Sequence, residues 1–303
     1  MNLATSKATQ RLALVTCSAY PDLDIDDQLL IEPLRALDIP VTIAVWNDPS
    51  VKWDQFALAL IRSTWDYTRH HADFLAWAKR VEQVSVLVNP LPVIAWSSVK
   101  TYLRELERSG VPIVPTTFIE PGQHWTFPDG QFVVKPAISA GSRDTLRLSS
   151  ANTAAGDRAV TAMHLRRQTA MIQPYFHSVD VGAETALIFL EGEFSHAIRK
   201  SALLPLDVAS QVFERGLFLQ EKITRCSARA DQLSVAHAAL RCAPAGWLYA
   251  RVDLIDDPTG NPVVLELEMV EPSLYLGFVD SPGPTPAQTL ASHLAQRLQS
   301  ERQ

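Results

Sequence analysis

The sequence lacks the features of several protein classes. Its 303 residues include 3 cysteines, Cys17, Cys226 and Cys242, which form neither a CxxC pair nor a disulfide framework and so favour a reducing compartment. A net charge of -6 supplies no broad basic face for a nucleic acid. The first apolar run, residues 12–15, is too short for a signal peptide or a membrane span. We therefore expect a cytoplasmic protein with neither a nucleic acid nor a membrane as partner.

The sequence lacks the motifs of two hydrolase classes. The sequence contains no GxSxG elbow and no HExxH motif. His70 and His71 are adjacent, so their side chains point apart in a strand or a helix, and the histidines do not gather at metal-ligand spacing. Serine-hydrolase and zinc-hydrolase chemistry is therefore not expected.

The composition, 47% hydrophobic and 20% charged, is that of a folded globular protein. A chain of 303 residues is long enough for two or three compact lobes. Apolar runs at 11–16, 41–46 and 56–62 alternate with helical spacing at 26–37 and 74–84, which predicts a parallel α/β lobe. Further strands are expected at 132–136, 171–173, 185–190, 194–198, 248–254 and 262–267, and further helices at 98–108, 229–242 and 286–302. The predicted lobes span residues 1–96, 97–170 and 171–303.

An acidic pattern near the C-terminus is the sharpest chemical feature. Strand alternation puts Arg251 and Asp253 on one face, and it puts Glu266 and Glu268 on one face after a turn. If the two strands form a hairpin, three carboxylates converge beside one arginine, and such oxygen ligands suit magnesium. The alternative is an exposed acidic strand face, which the flanking apolar residues and nearby Glu271 make less attractive.

Two lysines occur in settings suited to phosphate. Lys135 ends an apolar strand directly before the small and polar segment 137–145, whose backbone N–H groups could approach phosphate oxygens. Lys100 sits where a helix is predicted to begin, and a helix dipole favours a bound anion there. The alternatives are an ordinary surface loop and a solvated lysine.

The segment 62–67 follows the third apolar run of the first lobe. In open α/β sheets ligands bind beyond the carboxyl ends of strands, so its arginine, hydroxyls and aromatic rings could hold a small zwitterion. Alternatively, Trp65 packs and Arg62 forms a local salt bridge with Asp66.

The order of these features resembles the ATP-grasp superfamily over nearly the whole chain. The resemblance implies an N-terminal parallel α/β lobe followed by two α+β lobes that clasp ATP. It also implies roles for individual residues: phosphate contacts from Lys100 and Lys135; a closing loop at 139–145 containing Ser139, Gly141 and Ser142; an adenine-reading hinge at Gln173, Tyr175 and Phe176; ribose contact from Asp180; and Mg²⁺ ligands at Asp253, Glu266 and Glu268.

Within that superfamily, segments 62–67, 266–268 and 271–273 are similar to the cyclo-ligase group that forms D-cycloserine from O-ureido-D-serine. One departure is Glu266-Leu267-Glu268, where the superfamily often has Glu-x-Asn.

The resemblance further implies that Mg-ATP activates the carboxylate of a small amino-acid-like substrate as an acyl phosphate, which a nitrogen nucleophile attacks. Arg62 and Arg251 are the candidates for holding substrate. An intermolecular carboxylate–amine ligase, a kinase and a non-catalytic ATP-binding module stay open, as does a homo-oligomer.

Overall fold

Three β-sheets follow one another along the chain. The structure is a computed structural model and describes residues 11–202, 204–207, 222–279 and 283–300. Within these ranges, no helix is both long and apolar enough to cross a membrane.

The first sheet is parallel throughout, as the alternating pattern predicts, and has the order β2-β1-β3-β4. Every residue of β1 is buried, because α-helices cover both faces of a sheet of this kind. Its elements are β1 Leu12–Thr16, α1 Ile31–Ala36, β2 Val41–Val45, β3 Leu58–Ile61, α2 His71–Glu82 and β4 Val86–Val88. A 3₁₀ turn, Asp27–Leu30, precedes α1 and occupies the first part of the helix predicted at 26–37.

The connection to the second lobe differs from the prediction. A single helix was expected at 98–108, but α3 Leu91–Ser97 ends before it and α4 Leu103–Arg108 covers only its second half. Val99 between them is extended, and the backbone N–H of Lys100 donates to the carbonyl of Ala137 at 2.8 Å. That bond to the end of a distant strand replaces a helical hydrogen bond, so the chain turns there.

The second sheet is antiparallel, with the order β5-β8-β6-β7. It consists of β5 Thr117–Ile119, β6 Gln131–Pro136, β7 Leu146–Ser149 and β8 Ala170–Pro174, with α5 Thr153–Leu165 between β7 and β8. The boundary predicted after residue 170 falls inside β8, although β8 pairs with β5 and β6. We propose that the boundary between the second and third lobes follows β8.

The third sheet is also antiparallel, with the order β11-β10-β9-β12-β13. Its elements are α6 Ser178–Gly182, β9 Glu184–Leu190, β10 Glu193–Lys200, β11 Ile223–Cys226, α7 Ala230–Leu240, β12 Tyr249–Asp256, β13 Pro262–Glu268 and α8 Pro286–Ser300. The predicted hairpin is confirmed: Arg251 lies opposite Glu268 and Asp253 lies opposite Glu266.

The first and third lobes share one core. Leu12 and Leu58 of the first sheet belong to the same buried cluster as Ile188 of β9 and Leu290 of α8. The buried Asn89 side chain joins the same two lobes: its Nδ2 donates to the carbonyls of Tyr249 at 2.9 Å and Met269 at 2.7 Å, and its Oδ1 accepts from the Leu248 N–H at 2.7 Å. The end of the first sheet is therefore fixed against β12 and β13.

Candidate active site

A cavity of about 390 Å³ lies where the second and third sheets face each other, and its rim includes residues of the first lobe. This volume is within the usual range for small-molecule sites. Lys135 comes from β6, Gln173 from β8, Arg251 and Asp253 from β12, and Glu266 and Glu268 from β13. Every candidate for phosphate or metal contact in the two antiparallel sheets therefore meets in one space.

The hairpin of β12 and β13 brings the three acidic residues together. One carboxylate oxygen from each of Asp253, Glu266 and Glu268 lies within 4.8 Å of the others. The cause is local: side chains alternate along each strand, and the register sets Asp253 opposite Glu266. Each residue has a free lone pair to offer a hard cation, so the donor set fits Mg²⁺, which takes one or two carboxylates together with substrate phosphates.

Basic groups surround this acidic trio. Lys135 Nζ lies 2.9 Å from Glu266 Oε1, and Lys100 Nζ lies 3.8 Å from Glu266 Oε2. Arg251 contacts both strands, with Nε 2.9 Å from Asp253 Oδ1 and Nη2 2.8 Å from Glu268 Oε1. In such buried pairs the hydrogen bonds offset the cost of removing both charges from water. The same cations can donate hydrogen bonds to phosphate oxygens when a nucleotide enters.

The two glutamates of β13 titrate in opposite directions. Burial opposes ionisation of Glu266, but the charges of Lys100 and Lys135 outweigh it and hold its pKa well below the usual range. Burial raises the pKa of Glu268, and the neighbouring Asp253 and Glu266 raise it further against the attraction of Arg251. The raised pKa of Glu268 shows that its ionised form is disfavoured beside two other carboxylates, and a cation bound among the three would favour that ionised form.

Lys200 also lies in the site, although it was not predicted from the sequence. It ends β10, is 5% exposed, donates from Nζ to Asp253 Oδ2 at 2.9 Å and also pairs with Glu184. Lys200 also follows a predicted strand, as Lys135 does, but Ser195, His196 and Arg199 make that strand less apolar, so the same signal is weaker there. Glu184 at the start of β9 lines the cavity as well.

The segment predicted to close over phosphate borders the cavity. Ser139, Gly141 and Ser142 line it, and Lys100 Nζ donates to the Ser139 carbonyl at 2.6 Å. The backbone is left-handed at Gly141, with φ of 60°, a conformation that glycine adopts without a steric cost. Lys100 thus joins the start of this loop to Glu266.

The predicted adenine hinge lines the far end of the cavity. Gln173, Tyr175 and Phe176 border it. The Gln173 side chain is 2% exposed and donates from Nε2 to Thr116 Oγ1 at 2.8 Å, and the Tyr175 N–H donates to the Gln131 carbonyl at 2.9 Å. Val133, which lies opposite Gln173 in the sheet, also lines the cavity.

Asp180 is not among the residues that line the cavity. Its Oδ1 lies 3.0 Å from Arg147 Nη1, its Oδ2 lies 3.1 Å from Arg147 Nη2, and it accepts from the Tyr175 hydroxyl at 2.7 Å. Arg147 in turn lies over the Tyr175 ring, 3.6 Å from its centroid. In this conformation Asp180 therefore orders the hinge tyrosine, and its contact with ribose stays a prediction.

Arg62 also lies outside the cavity lining. Its side chain is buried, donates from Nε to Asp27 Oδ1 at 2.8 Å and from Nη2 to the Pro272 carbonyl at 2.7 Å, and lies over the Tyr249 ring. The alternative pairing with Asp66 is wrong, because Asp66 instead accepts from Trp46 Nε1 at 2.8 Å. The structure brings Arg62 to the back of the 271–275 segment, whereas Trp65 reaches the cavity itself.

Comparison with known proteins assigns the family. The sequence is 35% identical over 297 residues to the cycloserine biosynthesis protein DcsG of Streptomyces lavendulae, covering 93% of this chain and 98% of that protein. The chain belongs to the DcsG family of ATP-grasp ligases. The family described as D-cycloserine synthetase DcsG, N-terminal domain, matches residues 12–89.

Solved structures agree with the DcsG assignment. The crystal structure of D-cycloserine synthetase DcsG superposes with a TM-score of 0.84 at 33% identity, covering 95% of this chain and 99% of that one. D-alanine–D-alanine ligase from Bacillus anthracis, complexed with ATP, gives a TM-score of 0.66 at 12% identity, covering 97% and 99% of the two chains, and shows the shared fold. Like other members of the DcsG family, this chain is a carbon–nitrogen ligase with the ATP-grasp fold, and ATP-grasp ligases bind ATP and Mg²⁺.

Proposed function

We propose that this ligase closes O-ureido-D-serine to D-cycloserine at the expense of ATP. The observation that carries the proposal is the arrangement of Arg251 against the acidic trio Asp253, Glu266 and Glu268 inside one cavity, in a chain similar to DcsG over 93% of its length. Carboxylate activation needs a cation-binding centre and a basic group side by side, and this hairpin supplies both.

The chain's own residues hold the reactants. Lys100, Lys135 and Lys200 reach the acidic trio from three different elements, so they can contact the phosphates of ATP from several sides. Arg251, anchored by the Ser273 carbonyl at 3.1 Å, faces the position of the substrate carboxylate and stabilises charge that develops on it. Asp253, Glu266 and Glu268 would hold Mg²⁺, which neutralises charge on the transferred phosphoryl group when it is bound.

The proposed reaction has three steps. A carboxylate oxygen of the substrate takes the γ-phosphoryl group and ADP leaves. The ureido nitrogen bonded to oxygen then attacks the acyl carbon, loses its proton, and expels phosphate as the C–N bond of the ring forms. The carbamoyl group on that nitrogen is removed with one water as carbon dioxide and ammonia.

Positioning is the main task of the enzyme in a cyclisation. Carboxylate and nucleophile lie in one molecule, so folding the substrate into an attack geometry supplies much of the rate gain. The acyl phosphate must also be kept from water, a role that suits the segment 139–145 at the rim of the cavity.

The test is release of ADP and phosphate with Mg-ATP and O-ureido-D-serine as the single organic substrate, with the ring product followed by mass spectrometry. We expect ADP, phosphate and product in equal amounts from the wild type, and a loss of at least about 100-fold in Glu266→Gln. Glu193→Gln, at the exposed first residue of β10, makes the same chemical change away from the cavity and should retain activity. ADP formation that requires an added amine would instead establish an intermolecular ligase, and a phosphorylated product without free phosphate would establish a kinase.

We also infer that the protein works in the cytoplasm, an inference supported by the free thiols of Cys17, Cys226 and Cys242. Cell fractionation with an antibody to the chain tests this.

A further inference from the structure

Asp26 lies at the start of the 3₁₀ turn that precedes α1, and its side chain lines the cavity from the first lobe. One carboxylate oxygen, Oδ1, accepts from the Gly277 N–H at 3.2 Å. The other, Oδ2, is buried and has no hydrogen-bond partner among the described residues. A buried carboxylate oxygen without a partner costs free energy, and a ligand that donates to it would remove that cost.

The charges around Asp26 indicate which ligand group it would take. Over the ranges that the structure describes, Asp26 forms no ion pair with a basic side chain, whereas the cavity's basic residues Lys100, Lys135, Lys200 and Arg251 all pair with other carboxylates. Burial, followed by the adjacent Asp27 carboxylate, raises the pKa of Asp26 to about 6. The Arg62 guanidinium lowers the pKa of Asp26 by a smaller amount, because Arg62 pairs with Asp27. A cation on the ligand would therefore stabilise the ionised Asp26 carboxylate.

Asp26 and Arg251 contact the two ends of one short segment of the chain. The segment 273–277 connects the two places: Arg251 Nη1 donates to the Ser273 carbonyl, and the Gly277 N–H donates to Asp26. Five residues of chain span at most about 14 Å, and this segment is shorter than that because Tyr275 turns it with a φ of 51°. Tyr275 also lines the cavity between them.

The residues behind Asp26 hold it in place. The Asp26 N–H donates to Asp24 Oδ1 at 3.0 Å, and the Asp24 N–H donates to Ser63 Oγ at 3.0 Å. Ser63 in turn donates to the buried Asp27 at 2.6 Å. The loop after β1 is thus fixed to the end of β3, so the position of the carboxylate is set before a ligand binds.

We propose that Asp26 binds the α-ammonium group of the substrate and makes the enzyme specific for an amino acid over its deamino counterpart. This inference rests on the proposed function, because the ammonium group belongs to the substrate assigned there. With the carboxylate held at Arg251 and the ammonium at Asp26, the remaining ureido arm is left free to fold back toward the acyl carbon.

The experiment compares two substrates in two variants. O-ureido-D-serine and its deamino analogue, 3-(ureidooxy)propanoate, are assayed by ADP release with wild type and Asp26→Asn. We expect Asp26→Asn to lower kcat/KM for O-ureido-D-serine by about 10-fold to 100-fold, mainly through KM, the range expected for a hydrogen bond to a charged group. The same variant should leave kcat/KM for the deamino analogue and KM for ATP unchanged.

Asp22→Asn is the matched control, since Asp22 is exposed in the same loop and does not line the cavity. Thermal unfolding of each variant checks that the fold is retained. An equal loss on both substrates would overturn the proposal in favour of a structural role, and no loss on either would show that the ammonium binds elsewhere. Failure of the proposed function has a different signature: wild type then makes no ADP with O-ureido-D-serine at all.

Discussion

Replacing Arg62 distinguishes a substrate contact from a structural one. In the structure the guanidinium is buried and paired with Asp27, whose side chain is 3% exposed. Arg62→Met leaves that carboxylate with the Ser63 hydroxyl but without its counter-charge, and it also removes the donor to the Pro272 carbonyl. Breaking a buried pair by removing one partner costs about 3–5 kcal/mol, so we expect a loss of that size in the free energy of unfolding.

A second substitution tests the cause. Asp27→Asn added to Arg62→Met removes the buried carboxylate charge that no longer has a counter-charge. The double variant should therefore recover part of the lost stability. Arg35→Met is the matched control, because Arg35 pairs with Glu32 at the surface, where such pairs contribute less than about 1 kcal/mol.

Urea unfolding followed by fluorescence gives the free energies, and initial rates of ADP release give KM for the organic substrate. A different result would show that Arg62 binds substrate: Arg62→Met would unfold at the same urea concentration as wild type while KM rose 10-fold or more. The contact would then be made by the Nη1 atom, which has no hydrogen-bond partner among the described residues.

Three further predictions concern other buried groups. Lys200→Met removes one of two cations on Asp253 and should lower kcat/KM by about 100-fold, measured by ADP release, whereas an unchanged rate would exclude Lys200 from the site. Burial raises the pKa of Glu271 to about 8, so in the metal-free protein ionisation costs stability as pH rises above the unfolded pKa and the cost is complete above pH 8. Glu271→Gln should therefore be more stable than wild type by roughly 1–4 kcal/mol at pH 9 and equal to it at pH 4, measured by urea unfolding. Asn89→Ala leaves three buried backbone groups of the shared core without partners and should cost about 2–4 kcal/mol by the same method, while Asn47→Ala at the surface should cost little.

The sequence predicts the features of the site that depend on local patterns. Side-chain alternation and one turn suffice to place Arg251 against the acidic trio, because a hairpin brings together residues close in the chain. The parallel first sheet follows for a similar reason, since a helix between two strands is the usual crossover that parallel pairing needs. Lys135 could be found because it follows the apolar residues Phe132, Val133 and Val134 near the end of its strand.

Contacts between distant segments could not be predicted from such patterns. Asp27 lies 35 residues before Arg62, and no periodicity links them. Lys200 meets Asp253 only because β9 lies between their strands in the sheet order. The break in the helix at Lys100 depends on the Ala137 carbonyl, which belongs to another lobe. Predicting each of these three contacts requires knowing how the sheets are arranged, which the patterns in a single sequence do not reveal.

In the proposed reaction, ATP activates the substrate carboxylate in the cavity at the acidic hairpin. O-ureido-D-serine labelled with ¹⁸O in both carboxylate oxygens reports on this step, because an acyl phosphate transfers one of those oxygens to phosphate when the ring closes. Mass spectrometry of the products should find one ¹⁸O in each released phosphate and the other in the ring carbonyl, with label transfer lost in Glu266→Gln. Ring product formed with unlabelled phosphate would show that no acyl phosphate forms at the substrate carboxylate.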